Sequence, residues 1–191
     1  PSPFLVMATQ NPIESEGTYP LPEAQVDRFM MKVLVDYPDR GEELVVVQRS
    51  LSVAADVERV LPIKDLKRFQ QLTTEVYVDR VVAEYAIALA EATRHPDRFG
   101  LSTHLTHIAY GSSPRGSINL VHGARALALL RGRKYALPQD VYELSKDVLR
   151  HRMVLTYQAL AESVDADQIL DSILRAVPLP RIDLADQELS A

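Results

Sequence analysis

The sequence predicts a mainly α-helical chain with a small α/β segment at its front. From residue 79 onward, apolar residues recur at helical spacing, and a capping residue or a proline precedes each run. Before residue 50, short β-branched runs alternate with helical stretches, as in α/β units. We therefore divide the chain into an α/β segment (1–50), a connector (51–78), a helical bundle (79–180) and a polar tail (181–191).

The composition is that of a globular protein. The 191 residues are 47% hydrophobic and 25% charged, which favours a packed core over disorder. The net charge of −5 argues against non-specific nucleic-acid binding. Cysteine is absent, which excludes disulfides and thiolate metal sites and fits a cytoplasmic protein. No apolar run has the length of a membrane span, so none is expected.

The front segment begins with an apolar run at 4–8, which predicts a buried strand, and Asn11 stands where that strand would end. A loop then leads to a short helix at 23–29, with Arg28 near its last turn, and a second short strand is expected at 31–35. A lone buried strand cannot satisfy its own edges, so its partners are expected to be missing or supplied by another copy. The start Pro-Ser-Pro has no basic region typical of a signal peptide, and it predicts a chain cut within a domain.

Local signals define the remaining helices. Asp39 can cap a helix at 40–49, and Pro62 can open one at 63–73; residues 76–78 fit a turn or an edge strand. Asp79 caps a helix that ends near His95, and the polar stretch 97–112 is expected to be a loop or a short excursion. Later helices are predicted at 114–131, buried at its centre, at 138–151, and from Asp165 to just before Pro178.

Arg115 is the first candidate for a binding residue. It would be the second residue of a helix, where the helix dipole disfavours a cation. Gly111, Ser112 and Ser113 precede it, and these small residues would let a ligand come close. One interpretation is an ion pair with a surface carboxylate. The other is a phosphate site made of a guanidinium and free amide groups at a helix start.

Arg28 and Asn11 each allow two interpretations as well. Arg28 is either a solvated cation or an arginine presented to a phosphate on a neighbouring subunit. Asn11 is either a turn residue before Pro12 or an amide that orients a water molecule or a γ-phosphate. His104 and His107 could form half of a metal site, but no third ligand stands at a recognisable spacing, so no metal is expected. The sequence contains no Gly-x-x-x-x-Gly-Lys-Ser/Thr loop to cradle phosphates.

Several stretches resemble the MoxR family of AAA+ ATPases. The longest are Ala-Thr-Gln-Asn-Pro-Ile-Glu at 8–14 and Glu-Gly-Thr-Tyr-Pro-Leu-Pro-Glu-Ala-Gln-Val-Asp-Arg-Phe at 16–29. The likeness resumes in the family's order at 113–116, 124–128, 138–141 and 148–152. One departure is Leu137, which stands before a helix start where the family often has a capping Thr, so this helix is expected to begin less firmly. Another is the segment 97–112, which looks longer than the family's link.

This resemblance implies roles for the candidate residues. Asn11 corresponds to the sensor 1 residue, Arg28 to the arginine finger, and Arg115 to the sensor 2 arginine of a helical lid. The α/β segment would be the end of an AAA+ core, and the helical bundle would be the lid. The ATP-binding loop and Walker B acids of the family lie upstream of sensor 1, so the chain would be the C-terminal part of the ATPase and inactive alone.

The mechanism implied by the resemblance is hydrolysis of ATP with Mg in a ring, a hexamer in the family pattern, with ATP between subunits. Asn11 would serve its own subunit's site and Arg28 the next subunit's, whereas Arg115 could act within or across subunits. Lid closure would move a client protein, in the chaperone-like manner of the family, which often has von Willebrand factor A domain partners. The rival hypotheses are a helical adaptor, which needs an exposed apolar stripe, and a DNA-linked AAA+ relative, which needs a basic stripe.

Overall fold

The computed structural model describes residues 3–10, 21–52 and 57–181, and its architecture is mainly helical, which confirms the predicted fold class. The α-helices are α1 (Glu23–Val26), α2 (Arg40–Ser50), α3 (Ile63–Glu75), α4 (Arg80–Arg94), α5 (Pro114–Leu130), α6 (Pro138–Leu149), α7 (Tyr157–Ala161) and α8 (Ala166–Ala176). Short 3₁₀ helices span Pro96–Phe99, Ser102–Thr106 and Arg150–Arg152. None of the helices in these ranges has the length and apolar character that a membrane crossing needs.

The core lies between α4, α5, α6 and α8, which pack their apolar sides together. The fully buried side chains on these helices recur at helical spacing, as the sequence predicts, and include Val82, Leu89, Leu120, Val141, Val148, Leu149, Ile169 and Ile173. The predicted caps are present: the side chains of Asp39, Asp79, Ser113 and Asp165 each accept a hydrogen bond from an amide in the first turn of the following helix.

Helix α5 is buried at its centre, as predicted, but only along a narrow face. Leu120 is fully buried, but Ile118 and Leu130 are exposed. Small residues make up most of its inner face, and a Cβ added at Gly123 would lie 2.8 Å from Leu144 Cδ1 on α6. The two helices therefore approach closely along a narrow face; Val121 and Leu129 pack at its margin, and Ile118 and Leu130 stay exposed.

A two-stranded antiparallel sheet replaces part of the predicted loop at 97–112. Strand β1 (Ile108–Tyr110) pairs with β2 (Val154–Leu155), with Ile108 opposite Leu155. The amide of Thr156 also donates to the carbonyl of His107 at 2.9 Å. The pairing joins segments more than forty residues apart, so no local pattern indicates it.

The two strands predicted in the front segment are wrong for the described residues. Residues 4–8 and 31–35 form no strand, and Phe4 and Met7 are 81% and 83% exposed. The physical reason is the one that limits any lone strand: among the residues described here, neither run has a neighbouring strand to accept and donate backbone hydrogen bonds. Asn11 and the loop that follows it lie outside the described residues.

The start of α6 is held by Asp140 rather than by a cap at Leu137. The Asp140 carboxylate, which is fully buried, accepts from the amide of Leu137 at 2.8 Å. It also accepts from Arg133 Nη1 at 2.8 Å and from Arg131 Nη1 at 3.1 Å. The expectation of a weakly held helix start is therefore wrong, because a carboxylate in the first turn takes over from the missing capping hydroxyl.

We expect Asp140→Ala to lower the free energy of unfolding by about 2 to 3 kcal/mol. Removing one partner of a buried ion pair costs more than that when the other stays buried, but Arg131 and Arg133 are 41% and 20% exposed and can reach water. Urea denaturation measures the change. Glu143→Gln, which removes an exposed partner of Arg131, should cost less than about 1 kcal/mol. Equal losses in both variants would contradict the role of Asp140.

Candidate functional site

Arg28 lies in a turn directly after α1, and we call residues 27–30 the arginine turn. Its amide donates to the carbonyl of Gln25 at 3.1 Å, so the backbone is locally ordered. Its side chain is exposed, and within the described part of the chain it makes no ion pair. The short helix ends sooner than the predicted 23–29, and Arg28 therefore projects from the turn instead of the helix.

Asp27 connects the arginine turn to the start of α5. Its carboxylate accepts from Ser113 Oγ, with distances of 3.0 and 2.9 Å to its two oxygens, and from Arg115 Nη1 at 2.8 Å. Arg152 Nε lies 3.4 Å from the nearer oxygen, within ion-pair range. Arg115 is thus paired with a carboxylate, which is one of its two predicted interpretations, and its 52% exposure leaves part of the guanidinium open.

The electrostatics of this contact favour an ionised Asp27. Burial alone would raise the pKa of Asp27, but the hydrogen bonds from Arg115 and Ser113 and the charge of Arg152 outweigh it. The pKa of this carboxyl therefore lies below its ordinary value. The contact with Arg115 persists at neutral pH and would be lost only in strong acid.

The end of α4 fixes the backbone before Arg115. A Cβ added at Gly111 would lie 2.4 Å from the carbonyl oxygen of Thr93, so only glycine permits this approach. The amide of Ser112 donates to Thr93 Oγ1 at 2.8 Å, and Arg94 Nη1 donates to the carbonyl of Ser112 at 2.7 Å. The small residues before Arg115 thus serve close packing against α4, where the sequence had suggested room for a ligand.

Arg152, which the sequence analysis assigned no role, holds the arginine turn from the other side. Its side chain is 0% exposed, and its Nη2 donates to the carbonyls of Asp27 at 3.2 Å and Phe29 at 2.6 Å. Its Nη1 contacts the carbonyls of Met30, at 3.4 Å, and Val148. The signal in the sequence is the basic run at 150–152 after an apolar helix, which a helix C-terminus favours but which does not reveal its partner.

Comparisons with known proteins place these residues in a family. A family model described as "ATPase family associated with various cellular activities (AAA)" matches residues 1–31, and one described as "AAA lid domain" matches residues 102–173. The chain is 44% identical over 188 residues to the chaperone MoxR1 of Mycobacterium tuberculosis, covering 98% of this chain and 50% of that protein. The chain belongs to the MoxR family of AAA+ ATPases.

Other relatives agree with this assignment. The protein MoxR of Paracoccus denitrificans is 32% identical over 189 residues, which cover 92% of this chain and 56% of that protein. The crystal structure of a putative ATPase from Cytophaga hutchinsonii superposes with a TM-score of 0.88 at 42% identity, covering 95% of this chain and 56% of that one. The chain therefore spans about half the length of the relatives it matches.

In this MoxR-family chain, Arg28 and Arg115 are the two candidates for binding a phosphate group. Arg28 and Arg115 both have solvent-accessible guanidinium groups, which can donate to phosphate oxygens. Arg28 follows Asp27 in the chain, and the Asp27 carboxylate binds Arg115 Nη1 at 2.8 Å, so Asp27 connects the two candidates. The roles of Arg28, Arg115 and Asn11 toward a nucleotide stay predictions.

A shallow groove of about 430 Å³ lies between α1 and the β1–β2 sheet. Its lining includes the acidic residues Glu23 and Asp27, together with His151 and Arg152. The guanidinium of Arg152 is already bound to backbone carbonyls, so the groove presents acidic groups and no free cation from this set. It does not suit a phosphate.

The histidines at 104 and 107 form a hydrogen-bonded chain with Glu162. The two Nδ1 atoms are 3.1 Å apart, and His107 Nε2 lies 2.9 Å from Glu162 Oε2. Desolvation, together with the neighbouring His107, lowers the pKa of His104. Within the ranges given above, no group of three or more His, Cys, Asp or Glu residues could hold a metal ion.

His151 packs beneath the arginine turn, with Nε2 3.1 Å from the carbonyl of Phe29. Burial lowers its pKa to about 4, and the charge of Arg152 acts in the same direction. The folded state thus keeps His151 neutral where an unfolded chain would protonate it. Between pH 6.5 and 4 the unfolded state binds more protons, so stability falls as the pH drops through that window.

The full pKa shift of His151 would correspond to a loss of about 2 kcal/mol of stability at pH 5 relative to pH 7; because solvent screens this half-buried ring, we expect a loss of about 1 kcal/mol. Urea denaturation at both pH values should show a correspondingly smaller loss in His151→Gln, which keeps a side-chain amide to donate to Phe29. The contribution of His104 is common to both proteins and cancels in the comparison. An equal loss in the two proteins would contradict a buried, neutral His151.

Proposed function

We propose that this chain supplies the arginine finger and the lid of an ATP-hydrolysing AAA+ ring. The observation that carries the proposal is the setting of Arg28: its guanidinium is exposed, with no ion pair among the described residues, while the carbonyls on either side of it are bound by Arg152. A cation held on an ordered turn and left open to solvent suits a phosphate contact on another subunit. The family membership supports the same role.

Arg28, Asn11 and Arg115 would each have a different role toward ATP. Arg28 would donate to phosphate oxygens of ATP bound to the neighbouring subunit and so offset the charge that develops there. Asn11 would orient the attacking water or the γ-phosphate in its own subunit, and Arg115 would contact phosphate from the lid. ATP with Mg would supply the phosphoryl group and its counter-charge, held by a loop that this sequence does not contain.

The proposed domain organisation follows the same scheme. Residues 1–50 would be the end of the AAA+ core, 51–78 the connector, 79–180 the lid and 181–191 a polar tail. The match of the lid family to residues 102–173 supports the third range. Exposed apolar side chains at 4–7 and on α2 support the first, because such surfaces are expected where a core continues into further elements.

The proposal also covers the assembly of the chain and the proteins on which it acts. We propose a homo-oligomeric ring, a hexamer, in the cytoplasm, which acts on a client protein with or without a von Willebrand factor A domain partner. The printed name of the mycobacterial relative, a chaperone, supports a chaperone-like role. The exposed apolar side chains of α2 would also fit a helical adaptor, but the family membership favours the ATPase. The net charge of −5 gives no support to a DNA-linked relative.

In the full-length ATPase, we expect Arg28→Ala to lower the turnover of ATP by about 10³- to 10⁵-fold, because an arginine finger contributes that much. Steady-state phosphate release measures the turnover, and a fluorescent ATP analogue measures binding, which should change little. Arg49→Ala, which removes an exposed arginine at the end of α2, is the matched control and should leave turnover near normal. Near-normal turnover in Arg28→Ala would refute the finger.

The 191-residue chain alone should neither hydrolyse ATP nor bind it tightly. Two arginines and an asparagine cannot replace the backbone amides and lysine of a phosphate-binding loop. Isothermal titration calorimetry with ATP and Mg should show no micromolar binding. A dissociation constant in that range would mean that the chain holds a nucleotide site of its own. It would contradict the proposal that ATP is held by a loop that this sequence does not contain.

A further inference from the structure

We propose that Arg152 is the positioning residue of Arg28, so that a buried side chain of the lid sets the place of the arginine finger. The inference rests on the proposed function of Arg28 and adds to it the residue that sets its place. It concerns a side chain that cannot itself reach a nucleotide, because it is 0% exposed. Arg152 can therefore act only through the backbone it binds.

The contacts of Arg152 bracket Arg28 in the chain. Nη2 donates to the carbonyls of the residues immediately before and after it, Asp27 at 3.2 Å and Phe29 at 2.6 Å. The Asp27 carbonyl lies in the peptide plane that precedes the Arg28 Cα, and the Phe29 carbonyl lies in the plane that follows the Phe29 Cα. Arg152 thus holds both ends of the short stretch of backbone that carries Arg28, and so restrains the point from which the finger starts.

Burial makes the contact obligatory for both partners. A guanidinium removed from water costs several kcal/mol unless carbonyls or carboxylates replace its hydration. Most partners of Arg152 come from the arginine turn; the others are the carbonyl of Val148 on α6 and the Nε2 atom of the neighbouring His151. Its Nε has no hydrogen-bond partner and lies 3.4 Å from an Asp27 oxygen. The Asp27 carboxylate therefore forms an ion pair with Arg152 but no hydrogen bond. Without the turn, Arg152 would be a buried and largely unpaired cation.

Neighbouring contacts extend the same attachment along the chain. Arg150 Nη1 donates to the carbonyl of Lys32 at 2.6 Å, and the amide of Lys32 donates to the carbonyl of Asp147 at 2.8 Å. His151 contacts the carbonyl of Phe29, and Ser113 contacts Asp27. Among the described residues, the backbone bonds of the turn toward its own segment reach back to α1. Within that part of the chain, the lid therefore contributes most of the contacts that hold the turn.

The test is a double-mutant cycle in the full-length ATPase with Arg152→Met and Arg28→Ala. We expect Arg152→Met alone to lower kcat by about 100-fold, the effect of misplacing a catalytic group by roughly 1 Å, with the KM for ATP nearly unchanged. In the Arg28→Ala background the same change should lower kcat no further, because no finger is left to position. Arg152→Lys should fall between Met and the parent, since one ammonium cannot reach all the carbonyls that the guanidinium binds.

Arg133→Met is the matched control, because Arg133 is another partly buried lid arginine but binds Asp140. It should lower the melting temperature while its effect on kcat, whatever its size, combines independently with Arg28→Ala. If Arg152→Met does not assemble, the cycle is run with Arg152→Lys, which keeps the charge.

The outcomes separate the two proposals. Normal turnover in Arg28→Ala would remove the proposed function itself. A strong effect of Arg28→Ala, combined with a full further loss from the Arg152 variant in that background, would show a general structural role and overturn the positioning role. A loss of kcat from the Arg152 variant that occurs only when Arg28 is present, at unchanged KM, would support the positioning role.

Discussion

The burial of one guanidinium against the backbone of a distant turn is the contact on which the candidate site depends. Arg152 is withdrawn from water, and the carbonyls of Asp27, Phe29 and Met30 replace its hydration. Because a buried cation without acceptors is strongly unfavourable, the lid and the arginine turn stabilise each other in one arrangement. The guanidinium of Arg28 takes no part in this contact and is exposed, so it can bind a group on another molecule.

The lid is built so that Arg152 and Arg115 arrive on the same carboxylate from different elements. Arg152 follows α6 in a 3₁₀ helix that leads directly into β2, and the β1–β2 pairing ties that point to the segment before α5. Gly111 lets this segment pass against the end of α4, which places Ser113 and Arg115 beside Asp27. Packing of the helical core thus determines a polar contact at its edge.

Local features of this arrangement could be predicted from the sequence, whereas its long-range contacts could not. Asp79 and Asp165 were predictable caps because a cap and its helix are adjacent, and Val82 and Leu89 were predictable core residues because their spacing is helical. The strand at 4–8 failed because a strand depends on neighbours that its own residues do not encode. Arg152 escaped notice because its partners lie some 120 residues away, and nothing in its own neighbourhood distinguishes it from a basic helix end.

The charges around Asp27 predict how the contact between Asp27 and Arg152 would change when Arg115 binds a phosphate. Arg115 and Arg152 repel each other, and the Asp27 carboxylate lies against both. Arg115 is half exposed, and Ser113 and Arg152 would remain on Asp27 if Arg115 moved away. Under the proposed function, a phosphate would compete with Asp27 for Arg115, and the carboxylate released by that exchange would interact more strongly with Arg152. Contact of the lid arginine with nucleotide would then tighten, not loosen, the hold on the turn that carries Arg28.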